Sequence, residues 1–344
     1  QVCRFFVMFF ASRPWAGAAL LGVGLAVICR KSLQRVVSRF LYKVFTSSVV
    51  SRYVLKKTIA ASPHAHTSTR LVAVNSHCEV LPVAVLKDNY SYVIVERSSG
   101  EAAVVDPADA AAVQRAVDNL PSSIHVRYVL TTHHHFDHAY GNKKFKAAHV
   151  AVQVIGSRKE KVQGCSLFLE DGETLSLGAL TIKAIRTPGH TQGHLCYHVT
   201  APGDLAGAVF TGDCLFVGGC GKLFEGSPKD METSMKSLAN LPPETKVFVG
   251  HEYTVANLEF ARWLEPDNER AEKALQHAQD ARSSNKQTVP STIAQEKAIN
   301  PYMRTEVPAI RQKCGLLSAP SWEVLGKVRA LKDKAAHIRS AKKD

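Results

Sequence analysis

The sequence predicts an α/β domain over residues 79–252 and an all-helical domain over 253–344, preceded by a basic, hydrophobic leader over 1–78. Three observations carry that reading. Short apolar runs interleave with helix-periodic stretches up to about residue 252. Beyond it the chain turns charged and helix-periodic, as in NLEFARWLEPDNERAEKALQHAQDARSS. Residues 1–78 hold eleven Lys and Arg and no Asp or Glu. With 344 residues, 45% hydrophobic and 21% charged, the chain has apolar material for one large or two ordinary domains, which excludes a disordered or fibrous protein.

In the leader, residues 14–29 (PWAGAALLGVGLAVIC) carry no charge and lie between Arg13 and the pair Arg30 and Lys31. That run is short of the roughly 20 residues a membrane span needs; snorkelling by Arg13 extends it, and positive charge beyond it keeps the rest of the chain on the cytosolic or an equivalent side. Lys31, Arg35, Arg39 and Lys43 then recur every four residues beside an apolar face of Leu33, Val36, Val37, Phe40, Leu41 and Val44, the pattern of a basic amphipathic helix. Two readings follow: a membrane anchor that contacts the bilayer through residues 5–60, or a mitochondrial presequence, which is similarly basic and acid-poor. A helix packed on the next domain would leave much positive charge unpaired. The first residue is Gln1 rather than Met, so the natural chain is expected to extend upstream.

The net charge of +13 belongs to this leader, because the remaining chain balances 32 basic against 30 acidic residues. It has no global field for a polyanion, and nucleic acid is excluded as a partner. Eight cysteines without a CxxC pair argue against a disulfide scaffold and a zinc knuckle and place the catalytic part in a reducing compartment.

After the loop SPHAHTST (62–69), strands are expected at 79–86, 91–96, 102–105, 125–130, 149–154, 180–186, 194–199, 207–211 and 246–250. Helices are expected near 108–119 and 228–240. In the tail, Thr292 and Gln295 are spaced as a helix N-cap and its return partner, and a last helix covers 321–340. No internal repeat is present.

The chemistry concentrates at Thr132-His133-His134-His135-Phe136-Asp137-His138, directly after the strand VRYVLTT. A lone histidine is most often a satisfied core or surface residue, but four with a carboxylate in six residues reverse that expectation. His133 and His135 point to one side; Asp137 and His138 address a second ion, and His134 faces away. Two ions need about four ligands each. The remaining donors follow strands further on, each beside a glycine: His190 in TPGHTQGH, Asp213 in FTGDCLF and His251 in VFVGHEY. This closes as His133, His135 and His190 on one ion and Asp137, His138 and His251 on the other, with Asp213 bridging ions about 3.5 Å apart. Imidazole and carboxylate without thiolate suit two divalent ions per chain, zinc, iron or manganese, and geometry alone does not choose among them. His194 and His198 read as supporting residues and Cys214 as core.

Four blocks in this order, HxHxDH, TPGHTxGH, GDxLF and GHEY, resemble the metallo-β-lactamase superfamily. DNYSYVIVE (88–96), GCGKLFEG (219–226), GHEYTVANLEFA (250–261), VPST (289–292) and NPYMR (300–304) narrow the resemblance to hydroxyacylglutathione hydrolase, glyoxalase II. It covers essentially all of 79–344. It implies an αβ/βα sandwich with a C-terminal all-helical domain, a binuclear site between the sheets, and glutathione contacts at Lys222, Tyr253, Arg329 and Lys332. Cations suit the two carboxylates of glutathione, and Arg329 and Lys332 share a helix face, though each alone reads as an ordinary surface charge. The family carries a tyrosine where this chain has Phe224, a lost phenol worth about 1 kcal/mol of binding. Phe224 and the leader together resemble the membrane-anchored branch of that family.

The activity so implied is hydrolysis of a glutathione thioester, S-D-lactoylglutathione, to glutathione and D-lactate by a hydroxide bridging the ions. Asp137 would act both as ligand and as the group orienting that hydroxide. A monomeric catalytic domain is expected. Alternatives are a persulfide dioxygenase with a single iron, disfavoured by the complete second ligand set, and a membrane-tethered interaction protein with weak hydrolase activity. A nuclease is disfavoured by the absence of a basic excess.

Overall fold

The computed structural model describes residues 70–341. The expected anchor or presequence, its amphipathic helix at 31–44 and the membrane contact through 5–60 lie outside the described residues. Among the described residues no helix is long and apolar enough to cross a membrane.

Two sheets face one another. The first runs in the order β1 (Val72–Ala73), β2 (Cys78–Val85), β3 (Asn89–Glu96), β4 (Glu101–Val105), β5 (His125–Leu130), β6 (Gln153–Gly156) and β7 (Leu167–Phe168). It is antiparallel from β1 to β4, where tight turns connect neighbours, and parallel from β4 to β7, where helices cross over from β4 to β5 and from β5 to β6 and a loop joins β6 to β7. Those crossovers are α1 (Ala110–Asp118), then the short α2 (Phe136–Ala139) and α3 (Asn142–Ala148). The second sheet contains β8 (Thr174–Leu177), β9 (Leu180–Arg186), β10 (Leu195–Ala201), β11 (Asp204–Gly212), β14 (Lys246–Val249) and β15 (Ser291–Thr292), in the order β15-β14-β11-β10-β9-β8. A separate hairpin, β12 (Leu215–Phe216) with β13 (Gly219–Cys220), belongs to neither.

β3 shows how the layers form. All eight of its residues are buried, the polar Asn89, Ser91 and Glu96 among them, and its two faces enter different cores. Tyr90, Tyr92 and Ile94 face the second sheet, where the Tyr92 ring meets Phe210 at 5.4 Å and Phe248 at 5.3 Å. Val93 and Val95 join Val113 of α1 and Phe145 of α3 on the outer face. Met231, Met235 and Leu238 of α4 (Pro228–Ala239) belong to the same contiguous core as the residues between the sheets. Local signals start these helices: the Asp109 carboxylate accepts from the Ala111 and Ala112 amides, and Ser227 with Asp230 closes a capping box ahead of Pro228. Each such cap contributes about 1 kcal/mol.

The tail comprises α5 (Thr254–Leu264), α6 (Glu269–Ser283), α7 (Ile293–Ile299), α8 (Pro308–Cys314) and α9 (Ser321–Ala341). Thr292 caps α7 by accepting from the Gln295 amide at 3.2 Å. One expected strand is displaced: the apolar run at 149–154 forms β6 only from Gln153, because α3 reaches Ala148 and the Val152 amide turns back onto the His149 carbonyl.

Candidate metal centre

The chain ends its strands at a common edge of the two sheets, and there the polar residues collect. The loop after β5 carries His133, His135, Asp137 and His138; the β9–β10 loop carries His190; Asp213 follows β11 and His251 follows β14. The backbone is anchored by the strands while the side chains converge. His133, His135, His138, His190, Asp213 and His251 are buried and Asp137 is half-buried.

Three overlapping triples have ligand atoms within 4.8 Å of one another: His133, His135 and His190; His133, His138 and Asp213; Asp137, His138 and His251. Asp213 lies between the outer two. Its Oδ2 is 3.4 Å from His190 Nε2, and its Oδ1 is 3.2 Å from His138 Nε2 and 3.4 Å from His251 Nε2. Asp137 Oδ2 is 3.5 Å from His251 Nε2. Gly250 makes this approach sterically feasible, since a Cβ there would stand 2.6 Å from Asp213 Oδ1.

The outward-facing nitrogens are already occupied. His138 Nδ1 donates to Asp106 Oδ2 at 2.9 Å, His251 Nδ1 to Asp88 Oδ1 at 2.9 Å, and His190 Nδ1 to the Lys222 carbonyl at 2.8 Å. Donation from Nδ1 fixes the tautomer and turns each Nε2 lone pair inward, as metal-ligating histidines require. His133 Nε2 is buried and has no hydrogen-bond partner among the described residues. An unpaired imidazole nitrogen in a dry pocket costs about 1–3 kcal/mol, and a cation would complete it. The donor set therefore fits divalent metal.

Charge is divided across the pocket. Burial, reinforced by neighbouring rings, pushes His133 and His135 well below the ordinary imidazole value; burial also dominates at His190, at about 4 despite Asp213. On the other side, burial is outweighed by Asp213, Asp137 and the hydrogen-bonded carboxylates, so His138 is raised well above its ordinary value and His251 to about 9. Asp213 is held well below the carboxylate range by those two rings, against its own burial. Metal binding would compete with protons for His138 and His251.

Four supporting residues escaped the sequence reading. Asp88 and Asp106 orient ligating rings, and Asp106 also accepts from the Thr132 amide at 2.8 Å and hydroxyl at 2.7 Å. Asn89 donates to Asp137 Oδ2 at 3.3 Å. Glu160, buried, accepts from the His134 amide at 3.0 Å, the Thr191 hydroxyl at 2.5 Å and the Gly193 amide at 2.9 Å, and it pairs with His134 Nδ1. It thereby ties the 132–138 loop to the 187–194 loop. An acid at the end of an apolar strand, as in VVDP, was the one signal available. His134 does face away from the ligands; His194 donates or accepts at Thr187 Oγ1, 2.9 Å, and stacks on His133; His198 bonds the Ala206 carbonyl; Cys214 is fully buried.

The four expected substrate contacts have different settings. Lys222 projects into solvent while its carbonyl holds His190. Tyr253 is 38% exposed and stacks on the His251 ring at 4.7 Å. Phe224, 39% exposed, stands edge-on to His190 at 5.2 Å. Lys332 bonds the Ala256 carbonyl and lies 5.1 Å from the Phe260 ring. Arg329, which taken alone reads as an ordinary surface charge, is buried, its guanidinium donating to the Cys220 carbonyl at 2.9 Å and to Asp333 at 3.0 Å.

Residues 86–251 match the model of the metallo-β-lactamase superfamily, and residues 252–335 match that of the hydroxyacylglutathione hydrolase C-terminus. The cytoplasmic hydroxyacylglutathione hydrolase of Arabidopsis thaliana is 45% identical over 242 residues, 70% of this chain and 93% of that protein. The hydroxyacylglutathione hydrolase of Dictyostelium discoideum is 41% identical over 268 residues, 74% of this chain and 99% of that protein. A solved B3 metallo-β-lactamase, BLEG-1, is 20% identical with a TM-score of 0.48, covering 65% of this chain and 99% of its own.

Proposed function

Because the chain belongs to the hydroxyacylglutathione hydrolase family of the metallo-β-lactamase superfamily, we propose that it is a thioester hydrolase that cleaves S-D-lactoylglutathione, or a related S-2-hydroxyacylglutathione, to glutathione and the free acid. The observation that carries this reading is the convergence of His133, His135, Asp137, His138, His190, Asp213 and His251 on one pocket, with Nδ1 of His138, His190 and His251 turned to outward acceptors. These seven residues would hold two divalent ions, zinc first, with Asp213 between them.

When bound, such a pair supplies a water acidic enough to ionise near neutral pH and a Lewis acid for the thioester carbonyl. The protein's own groups do the rest. Asp137, held by Asn89 at the half-open side of the pocket, orients the attacking water. Thiolate is a good leaving group, so no dedicated acid is needed. Lys222, Tyr253, Arg329 and Lys332 would hold glutathione, as the family resemblance implies: the three cations suit its two carboxylates, and Tyr253 offers an aromatic face beside His251. The division of labour is a catalytic segment at 79–252 and a glutathione-binding helical segment at 253–344, acting as a monomer.

The leader over 1–78 is proposed as a membrane anchor or mitochondrial presequence, supported by its lack of acids and its amphipathic spacing. Carbonate extraction of the full-length protein and its N-terminal mass after cellular expression separate the two.

The test of the activity is thioester turnover and elemental analysis of the purified full chain beside Asp213→Ala. Two bound ions with substantial turnover, both lost in the variant, are expected. Robust turnover in the variant overturns the ligand assignment, and oxygen uptake with glutathione persulfide in place of thioester cleavage would favour a dioxygenase.

A further inference from the structure

The hairpin β12–β13 lies between Asp213 and Lys222, outside both sheets, and its strands pair only through Leu215 with Cys220 and Phe216 with Gly219. So small a hairpin does not hold itself in water. Its backbone polar groups are instead taken up by side chains from the C-terminal helices. Asn300 Nδ2 donates to the Phe216 carbonyl at 3.1 Å and the Gly219 carbonyl at 3.0 Å, and Asn257 Nδ2 to the Val217 carbonyl at 3.1 Å. Glu296 Oε2 accepts from the Gly218 amide at 2.9 Å, and Arg329 donates to the Cys220 carbonyl at 2.9 Å. All four side chains are buried. They also bond one another, since Glu296 accepts from Asn300 at 2.9 Å while Ser291 Oγ holds its other oxygen at 2.6 Å.

The hairpin exits onto the metal centre. The Gly221 amide returns to the Cys214 carbonyl, a Cβ on Gly221 would stand 2.9 Å from His190 Nδ1, and the next carbonyl, of Lys222, accepts from that nitrogen. Displacing the hairpin would shift Asp213 at one end and release the His190 ring at the other.

We infer that Asn257, Glu296, Asn300 and Arg329 are positioning residues for the metal centre: the C-terminal helices set the geometry of Asp213 and His190 through the 215–220 hairpin, in addition to any contact they make with substrate. The inference rests on the binuclear reading above. It makes the tail a part of the metal-binding apparatus and gives buried Arg329 a task that needs no ligand carboxylate.

The experiment measures metal affinity by competition with a chelator, the visible spectrum of the cobalt-substituted protein, and KM and kcat separately, using the full chain. Asn300→Ala is expected to lower affinity for one ion by about 10- to 100-fold, the usual effect of losing support behind a ligand. The cobalt spectrum should change, kcat should fall, and KM should stay within about twofold, because no substrate contact is removed. Glu296→Ala should do the same. Glu296→Gln should restore wild-type behaviour, since an amide oxygen at the Oε2 position still accepts from Gly218 and Asn300 while its NH2 faces the Ser291 hydroxyl. Asn257→Ala, which removes one bond at the hairpin tip, is the milder variant should Asn300→Ala not fold, with a smaller loss in the same direction. Folded variants with wild-type chelator resistance and an unchanged cobalt spectrum, or a rise in KM alone, overturn the inference. A wild-type chain that itself binds no metal would instead overturn the binuclear reading.

Discussion

Two buried carboxylates brace the centre from opposite sides, and they are compensated differently. Glu160 joins the two histidine loops within the sandwich, and its partners include the His134 ring. Burial tends to raise its carboxyl, yet His134 and the Thr191 hydroxyl hold it below the usual 4.5. Glu296 joins the tail to the hairpin, and among the described residues its hydrogen-bond partners are the Gly218 amide, Ser291 and Asn300, none of them a cation. There burial prevails and the carboxyl lies above 4.5. One carboxylate and its imidazole partner each favour the other's charged form, and the other carboxylate is a hydrogen-bond acceptor whose charge is incidental, so similar burial does not mean equal need for charge.

Substitutions can break that contrast. Glu160→Ala, which leaves two amides and a hydroxyl without an acceptor, is expected to cost about 3 kcal/mol in denaturant unfolding of the metal-free protein. Glu160→Gln keeps the shape but not the charge and should cost about 2 kcal/mol at pH 7. Glu296→Gln should cost less than about 0.5 kcal/mol, or stabilise; a loss as large as that of Glu160→Gln would show that the two sites are alike after all. Repeating the measurements against pH sharpens the contrast. Glu160's folded value is depressed, so its contribution is present above 4.5 and lost as pH falls through the lower folded value; the deficit of Glu160→Gln should shrink on acidification. Glu296's folded value is raised, so its contribution is present below 4.5 and lost as pH rises through the higher folded value; Glu296→Gln should gain on wild type with rising pH. The smallest effect is expected of Thr191→Val, about 1 kcal/mol, for one bond to Glu160.

The same contrast shows what a sequence reading reaches. The seven inward-facing residues sit in short local motifs at the ends of apolar strands, so spacing within a few residues exposed them. Asp88, Asp106, Glu160 and Glu296 do their work through partners 163, 32, 26 and 78 residues away, and a single acid in a loop or helix carries no local mark of that. The longer strands and α9 were legible because periodicity needs length. β7, β12, β13 and β15, of two residues each, have none, and α3 was missed because NKKFKAA is polar on all but one face. The burial of Arg329 carries no local mark for a related reason: three-residue spacing from Lys332 places both on one helix face, but only the packed hairpin determines which of them is covered.

The isolated bridge between Asn89 and His251 joins residues 162 positions apart, and Asn300, which braces the hairpin, comes later still. A chain growing from the ribosome can zip β2 to β3 and β3 to β4 early, since those partners are neighbours, but the last of the seven ligand candidates, His251, and the braces behind Asp213 emerge well after them. A nascent chain that stops short of residue 300 therefore offers a histidine cluster without a finished cradle, and a product truncated there would be a poor keeper of whatever ion it picked up.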